Sequence, residues 1–218
     1  MSRPAALVVV VGTATEVGKT WVTCRLLERL RRQGLRIAAR KPAQSFAVGE
    51  PAAGRLTDAD LLADASGEQA TEVCGADRWY PVAMAPPMAA DRLHRPPLRL
   101  ADLLDELRWP NDADLGFVET VGGVRSPITH DADSADLARH LVPDLVLLVA
   151  DAGLGTINAV RSGIDALAPL QAIVLLNRYD TDDPLHAANR TWLVERDGLD
   201  VLTDVASLAT RLVPLPQP

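Results

Sequence analysis

The sequence has 218 residues, of which 48% are hydrophobic, enough to build one α/β domain with a sizeable core. Its 22 Lys and Arg residues against 29 Asp and Glu give a net charge of −7, which excludes a broad basic footprint for a nucleic-acid backbone and favours a small-molecule partner. Two cysteines are too few for a disulfide framework, and the apolar run over residues 5–11 is too short to span a bilayer, so we expect no membrane partner and a cytoplasmic protein.

The chain begins with an apolar strand that runs from Val8 into a glycine-rich turn ending in Gly18, Lys19 and Thr20. Such a turn presents backbone N–H groups to a polyanion, adds a mobile lysine charge and offers a hydroxyl to a magnesium ion carried by phosphates. Five residues separate Gly12 from Gly18, one more than in the usual phosphate-loop pattern. An amphipathic pattern follows the turn, and this context predicts that the chain binds ATP here.

The next elements alternate between helix and strand. Apolar residues at helical spacing predict a first helix that ends at Gly34, and Leu35 to Lys41 reads as a second strand closed by Pro42. A loop over residues 45–54 is predicted to lead into a helix over 56–65 that carries Asp58 near its start. Prolines in the middle of the chain predict a shaped loop before another helix over 100–107.

Three nearly continuous apolar strands are predicted next, at Leu115 to Glu119, Leu145 to Asp151 and Ala172 to Asn177, with helices over 134–141 and 157–167 between them. The pattern indicates an α/β fold, a doubly wound, largely parallel sheet with helices on both faces, of P-loop NTPase type, forming one ATP-binding domain over residues 1–218. After Asn189 two interpretations stay open, a loose flap or a last strand and helix.

Ligands of such a sheet gather at the carboxyl ends of its strands, and phosphoryl transfer there needs magnesium and fixed positive charge. Oxygen donors that suit magnesium are Thr20, Asp58 and Glu119, with Asp60 and Asp151 as lower-ranked rivals. Lys41 is expected to place a second cation beside Lys19, and Ser45 to orient a polar substrate. The four histidines have no metal-ligand spacing, and we assign them no role.

The phosphate loop over residues 12–20 resembles that of dethiobiotin synthetases, ATP-dependent ligases of biotin biosynthesis that share its five-residue spacing. The likeness continues in order through residues 41–45, 57–58, 84–86, 118–119, 122–123, 154–158 and 177. It implies a cyclo-ligase that forms a carbamate from 7,8-diaminononanoate and CO2, phosphorylates it with ATP, and closes the ring to dethiobiotin with release of ADP and phosphate. The chain departs from the family at Thr120 and Val121, where the family has Gly-Ala, and no late proline-containing nucleotide motif is recognisable after Leu199.

The resemblance also implies roles for individual residues and a homodimer with sites near its interface. Catalysis would use Lys19 and Lys41, and magnesium would be held by Thr20, Asp58 and Glu119. ATP would be bound by Glu16, Val17, Gly18, Lys19, Thr20, Trp21, Asp58, Glu119 and Asn177, the last at adenine. The diamine would contact Thr15, Lys41 and Ser45.

Two other protein classes share this sheet and loop. The chain also resembles ATP-driven dimeric switches of the partitioning and division-site kind, but these carry a signature lysine where Ala14 stands, and the acidic balance disfavours DNA or membrane attachment. Corrinoid amide synthetases have a similar ATP domain but usually add a glutaminase domain, for which this chain has no room.

Overall fold

The computed structural model describes residues 3–47 and 56–213. In this part of the chain the strands are β1 Ala6–Gly12, β2 Ile37–Arg40, β3 Gln44–Ser45, β4 Trp79–Tyr80, β5 Leu115–Glu119, β6 Leu145–Asp151, β7 Ala172–Asn177 and β8 Val201–Leu202. The helices are α1 Lys19–Arg32, α2 Asp58–Ser66, α3 Ala70–Val73, α4 Pro86–Arg92, α5 Leu100–Glu106, α6 Ser134–Leu141, α7 Thr156–Leu167, α8 Pro184–Glu195 and α9 Val205–Leu212. None of these helices is long and apolar enough to cross a membrane.

A six-stranded parallel sheet with the order β2-β5-β1-β6-β7-β8 forms the centre of the fold. Both faces of the sheet are covered, which explains why its central strands read as unbroken apolar runs. On one face α1, α2 and α9 pack through residues such as Leu26, Leu62 and Leu208. On the other, α4 to α8 pack through residues such as Leu103 and Val160. The predicted doubly wound α/β sheet is therefore confirmed.

The three later strands begin and end where the sequence predicts, and the last strand and helix after Asn189 are present as β8 and α9. The prediction of a shaped loop in the proline-rich middle is wrong over residues 86–92, because Pro86 and Pro87 open α4. Proline fits the first turn of a helix, where its missing N–H has no intrahelical partner. The part of the predicted loop over residues 48–54 lies outside the described residues.

Candidate active site at the carboxyl edge of the sheet

The phosphate loop joins the end of β1 at Gly12 to the start of α1 at Lys19. Two of its residues have left-handed backbone, Glu16 with φ 59° and Gly18 with φ 90°. Gly18 must be glycine for a second reason, since a Cβ there would collide with Asn177 Nδ2. The loop therefore turns sharply beneath the N-terminus of α1, where free N–H groups and the helix dipole favour an anion.

The Lys19 side chain folds back over this loop. Its Nζ donates hydrogen bonds to the Gly122 carbonyl at 2.7 Å and to the Ala14 carbonyl at 3.1 Å. Burial, with repulsion from Lys41, lowers the pKa of Lys19 to about 8, and the carboxylates of Glu119 and Asp58 only partly oppose this. The ammonium is therefore held over the cradle by two carbonyl oxygens, and no carboxylate of residues 3–47 or 56–213 is bonded to it.

Thr20 lies beside two carboxylates from different parts of the chain. Its Oγ1 is 2.7 Å from Glu119 Oε1 and 3.1 Å from Asp58 Oδ1, so its single proton serves one of them at a time. Glu119 comes from the end of β5, and Asp58 is the first residue of α2. The Thr57 hydroxyl caps that helix through a reciprocal capping box with Asp60, which fixes where Asp58 projects.

Lys41 is buried directly after β2 and pairs with both carboxylates. Its Nζ lies 2.8 Å from Glu119 Oε1 and 2.9 Å from Asp58 Oδ2, and it also donates to the Thr120 carbonyl at 3.2 Å. Burial alone lowers the pKa of Lys41, but the charges and hydrogen bonds of Asp58 and Glu119 outweigh it and raise that pKa. Lys41 in turn lowers the pKa of Asp58. Lys41, Asp58 and Glu119 together form a charged network with a net charge of −1, not counting Lys19.

A cavity of about 380 Å³ collects most of the predicted residues. Its lining is Thr15, Glu16, Gly18, Lys19, Thr20, Trp21, Lys41, Gln44, Ser45, Asp58, Val121 and Gly122. Glu119 lies beneath this surface, 1% exposed, and reaches the cavity through Thr20 and Lys41. The Ser45 hydroxyl donates to the Met84 carbonyl at 2.6 Å, which leaves its oxygen lone pairs for a substrate. Gln44, next to Ser45, also lines the cavity, although no role was assigned to it from the sequence. Its Oε1 accepts a hydrogen bond from the Ala59 N–H at 3.0 Å.

A second groove, of about 770 Å³, adjoins this cavity along α1 and shares Gly18 and Trp21 with it. Asn177, at the end of β7, lies in this groove, and its Nδ2 donates to the Val17 carbonyl at 2.9 Å. Residues 203–206, which follow β8, form the opposite wall. These residues were not identified from the sequence, because β8 has only two residues and is hard to recognise as a strand. The signal for them is their position directly after a parallel strand, since ligands bind at the carboxyl edge of such a sheet.

The residues present fit a magnesium ion carried by phosphates. Glu119 Oε2 is fully buried and has no hydrogen-bond partner among the described residues, and it lies beside the Thr20 hydroxyl and the Asp58 carboxylate. Magnesium favours such oxygen donors and is usually bound by one or two carboxylates together with phosphates and water, not by a complete protein cage. Accordingly, no group of three or more His, Cys, Asp or Glu side chains within the described ranges forms a metal site by itself.

The chain departs from the dethiobiotin synthetase pattern within residues 120–123. In this segment only a glycine has left-handed backbone. Gly122 has φ 58°, whereas Thr120 and Val121 are outside the left-handed region. Thr120 is buried, and its hydroxyl has no partner in the part of the chain that the structure describes. Val121 forms part of the cavity wall and packs on the core. A β-branched residue is therefore tolerated at both positions without backbone strain.

The two rival carboxylates have structural partners instead. Asp60 accepts from the Thr57 N–H at 2.8 Å, and Asp151 pairs with Arg178 at 3.0 Å. Of the histidines, His130 bonds to Asp91 at 3.0 Å, away from the cavity. Cys24 is half-buried on α1, and burial raises its thiol pKa to about 12.

The chain is similar to known proteins over most of its length. A family model described as an AAA domain matches residues 7–209. The ATP-dependent dethiobiotin synthetase of Anaeromyxobacter sp. (strain Fw109-5) is 37% identical over 207 residues, covering 90% of this chain and 88% of that protein. The synthetase of Caulobacter vibrioides (strain NA1000 / CB15N) is 37% identical over 182 residues, covering 80% and 81%.

A solved structure, chloroplast FtsY from Physcomitrella patens, superposes with a TM-score of 0.51 at 18% identity. It covers 98% of this chain, which spans 66% of that longer protein, and it shows the shared P-loop NTPase-like fold alone. The two sequence relatives are similar over most of both chains, and both are named ATP-dependent dethiobiotin synthetases. The chain belongs to the ATP-dependent dethiobiotin synthetase family.

Proposed function

We propose that this protein is an ATP-dependent cyclo-ligase that converts 7,8-diaminononanoate and CO2 into dethiobiotin, with ADP and phosphate as the other products. The observation that supports this best is the pairing of a buried Lys41 with Asp58 and Glu119, within the cavity that also holds Lys19 and Thr20. A nucleotide switch of the partitioning kind carries its second lysine within the phosphate loop, where Ala14 stands here, and does not need a buried ammonium after a neighbouring strand. The named relatives support the ligase over the switch.

The reaction makes and breaks bonds that these side chains can assist. One amine of the diamine adds to CO2 and loses a proton, giving a carbamate whose oxygen attacks the γ-phosphorus of ATP while ADP leaves. The second amine then attacks the carbamoyl carbon, loses a proton and expels phosphate, which closes the cyclic urea. The negative charge in both steps is on oxygen, and preorganised cations stabilise it in a site from which water is excluded.

We assign Lys41 to the carbamate and to the oxygens of the transferring phosphoryl group, and Lys19 to the phosphates. Thr20, Asp58 and Glu119 would hold magnesium, which supplies charge neutralisation on the phosphates. Ser45 and Thr15 face the same cavity from its substrate side. Asn177 and the turn after β8 are assigned to the base, in the adjoining groove.

The whole chain would act as one domain, in a homodimer in the cytoplasm. Incubation with the diamine, bicarbonate, magnesium and ATP tests the reaction, with the cyclic urea detected by mass spectrometry. ATP hydrolysis that does not depend on the diamine, with no cyclic urea formed, would rule this function out.

A further inference from the structure

Two neighbouring side chains at the end of β7 hold two consecutive carbonyl groups of the phosphate loop. Asn177 Nδ2 donates to the Val17 carbonyl at 2.9 Å. Arg178 donates from one guanidinium nitrogen to the Glu16 carbonyl at 2.8 Å. The two bonds join parts of the chain 160 and 162 residues apart, and they act on adjacent peptide units.

Because the peptide bond is planar, these two contacts also fix the directions of two N–H groups of the loop. In a planar trans peptide the C=O of one residue and the N–H of the next point in opposite directions. A Glu16 carbonyl held by Arg178 therefore directs the Val17 N–H away from Arg178, and a Val17 carbonyl held by Asn177 does the same for the Gly18 N–H. Neither N–H donates to another group within residues 3–47 and 56–213.

Arg178 is itself fixed in place. Its second guanidinium nitrogen bonds to Asp151 Oδ2 at 3.0 Å, and Asp151 Oδ1 accepts the Gly153 N–H at 2.9 Å. Both Arg178 and Glu16 have left-handed backbone, with φ 56° and 59°. Non-glycine residues adopt that conformation when surrounding contacts fix it. Asn177 also lies so close to Gly18 that a Cβ at position 18 would collide with its Nδ2.

We propose that Asn177, Arg178 and Asp151 form a loop brace that orients the N–H groups of Val17 and Gly18 toward the nucleotide phosphates. Arg178 and Asp151 act as positioning residues, and Asn177 has this role in addition to any contact with the base. The inference depends on the proposed ATP site. It implies that phosphate affinity depends on side chains at the end of β7, although the phosphate loop itself follows β1. Oriented backbone N–H groups need such anchoring because a flexible loop would have to be ordered when the anion binds.

Inorganic tripolyphosphate separates the brace from base recognition, because it has no base. We expect N177A and R178Q each to weaken tripolyphosphate binding by about tenfold in calorimetry, as for loss of one hydrogen bond that orders the site. R178K, which keeps one charged donor, should recover part of the affinity. A role for Asn177 in reading the base alone predicts weaker ATP binding with unchanged tripolyphosphate binding.

The matched control is R161Q. Arg161, on α7, makes a similar two-contact ion pair with Asp197, at 2.6 and 2.9 Å, and its guanidinium lies over the Trp192 ring, so these contacts are made outside the phosphate loop. Its loss should leave tripolyphosphate affinity unchanged. If N177A lowers the melting temperature, R178Q decides the matter, since the Arg178 side chain is 59% exposed. Affinities within twofold of wild type for R178Q and for folded N177A would overturn the brace. No binding by the wild-type protein would overturn the ATP site with it, whereas bound tripolyphosphate without cyclic urea formation would count against the ligase alone.

Discussion

Because the pKa of Lys19 is lowered, we expect ATP affinity to depend on pH. The charges around this lysine determine the direction of the dependence. Burial and the charge of Lys41 lower this pKa to about 8 in the free protein. Phosphate oxygens beside the ammonium favour its charged form and must raise the pKa on binding. ATP binding is therefore coupled to proton uptake, and affinity must fall as the pH rises through the pKa of the free protein.

The size of the effect follows from the titration of one group. With a pKa of about 8, Lys19 is about nine-tenths charged at pH 7, half charged at pH 8 and about one-tenth charged at pH 9. Apparent ATP affinity should fall about tenfold from pH 7 to pH 9, and binding at pH 8 should take up about half a proton. The phosphates of ATP are already ionised over most of this range and contribute little to the change.

Calorimetry at several pH values, in buffers of different ionisation enthalpy, measures both quantities. Lys19→Arg is the control, because a guanidinium stays charged throughout and should give a flat profile whatever its absolute affinity. Proton uptake below about a tenth at pH 8, together with equal affinity at pH 7 and pH 9, would refute the assignment of Lys19 to the phosphates.

Three further variants test the other roles. Lys41→Ala should reduce turnover about a hundredfold or more while ATP affinity changes little, and should destabilise the fold by about 3 kcal/mol because Glu119 is left buried and unpaired; an equal loss of nucleotide affinity would contradict the carbamate role. Glu119→Gln should raise the magnesium concentration for half-maximal turnover by about tenfold, and an unchanged magnesium titration would remove it from the metal site. Glycine at both Thr120 and Val121 should change diamine affinity more than ATP affinity, since Val121 faces the cavity; unchanged calorimetry for both ligands would dismiss this segment as a determinant.

The sequence predicts a large part of the site because strand ends carry it. Lys41 comes directly after β2 and Glu119 ends the apolar run of β5, and parallel strands bring their carboxyl ends to one edge. Asp58 is recognisable as the start of a helix, but that it meets Thr20 and Lys41 depends on the packing of α2 against α1. The prolines of the middle region misled the prediction, since the same residue that ends a strand also opens a helix.

The sequence by itself determined the phosphate loop, the parallel α/β sheet and the family, because each is encoded in contiguous motifs and in the periodicity of apolar residues. Only the tertiary structure decided the charge network around Lys41, the low pKa of Lys19, the groove wall at residues 203–206 and the contact of Asn177 and Arg178 with the loop. These features depend on distances and desolvation between segments far apart in the chain. Periodicity identifies the face or the end on which a residue lies, but only the folded chain determines which residue of another segment it meets.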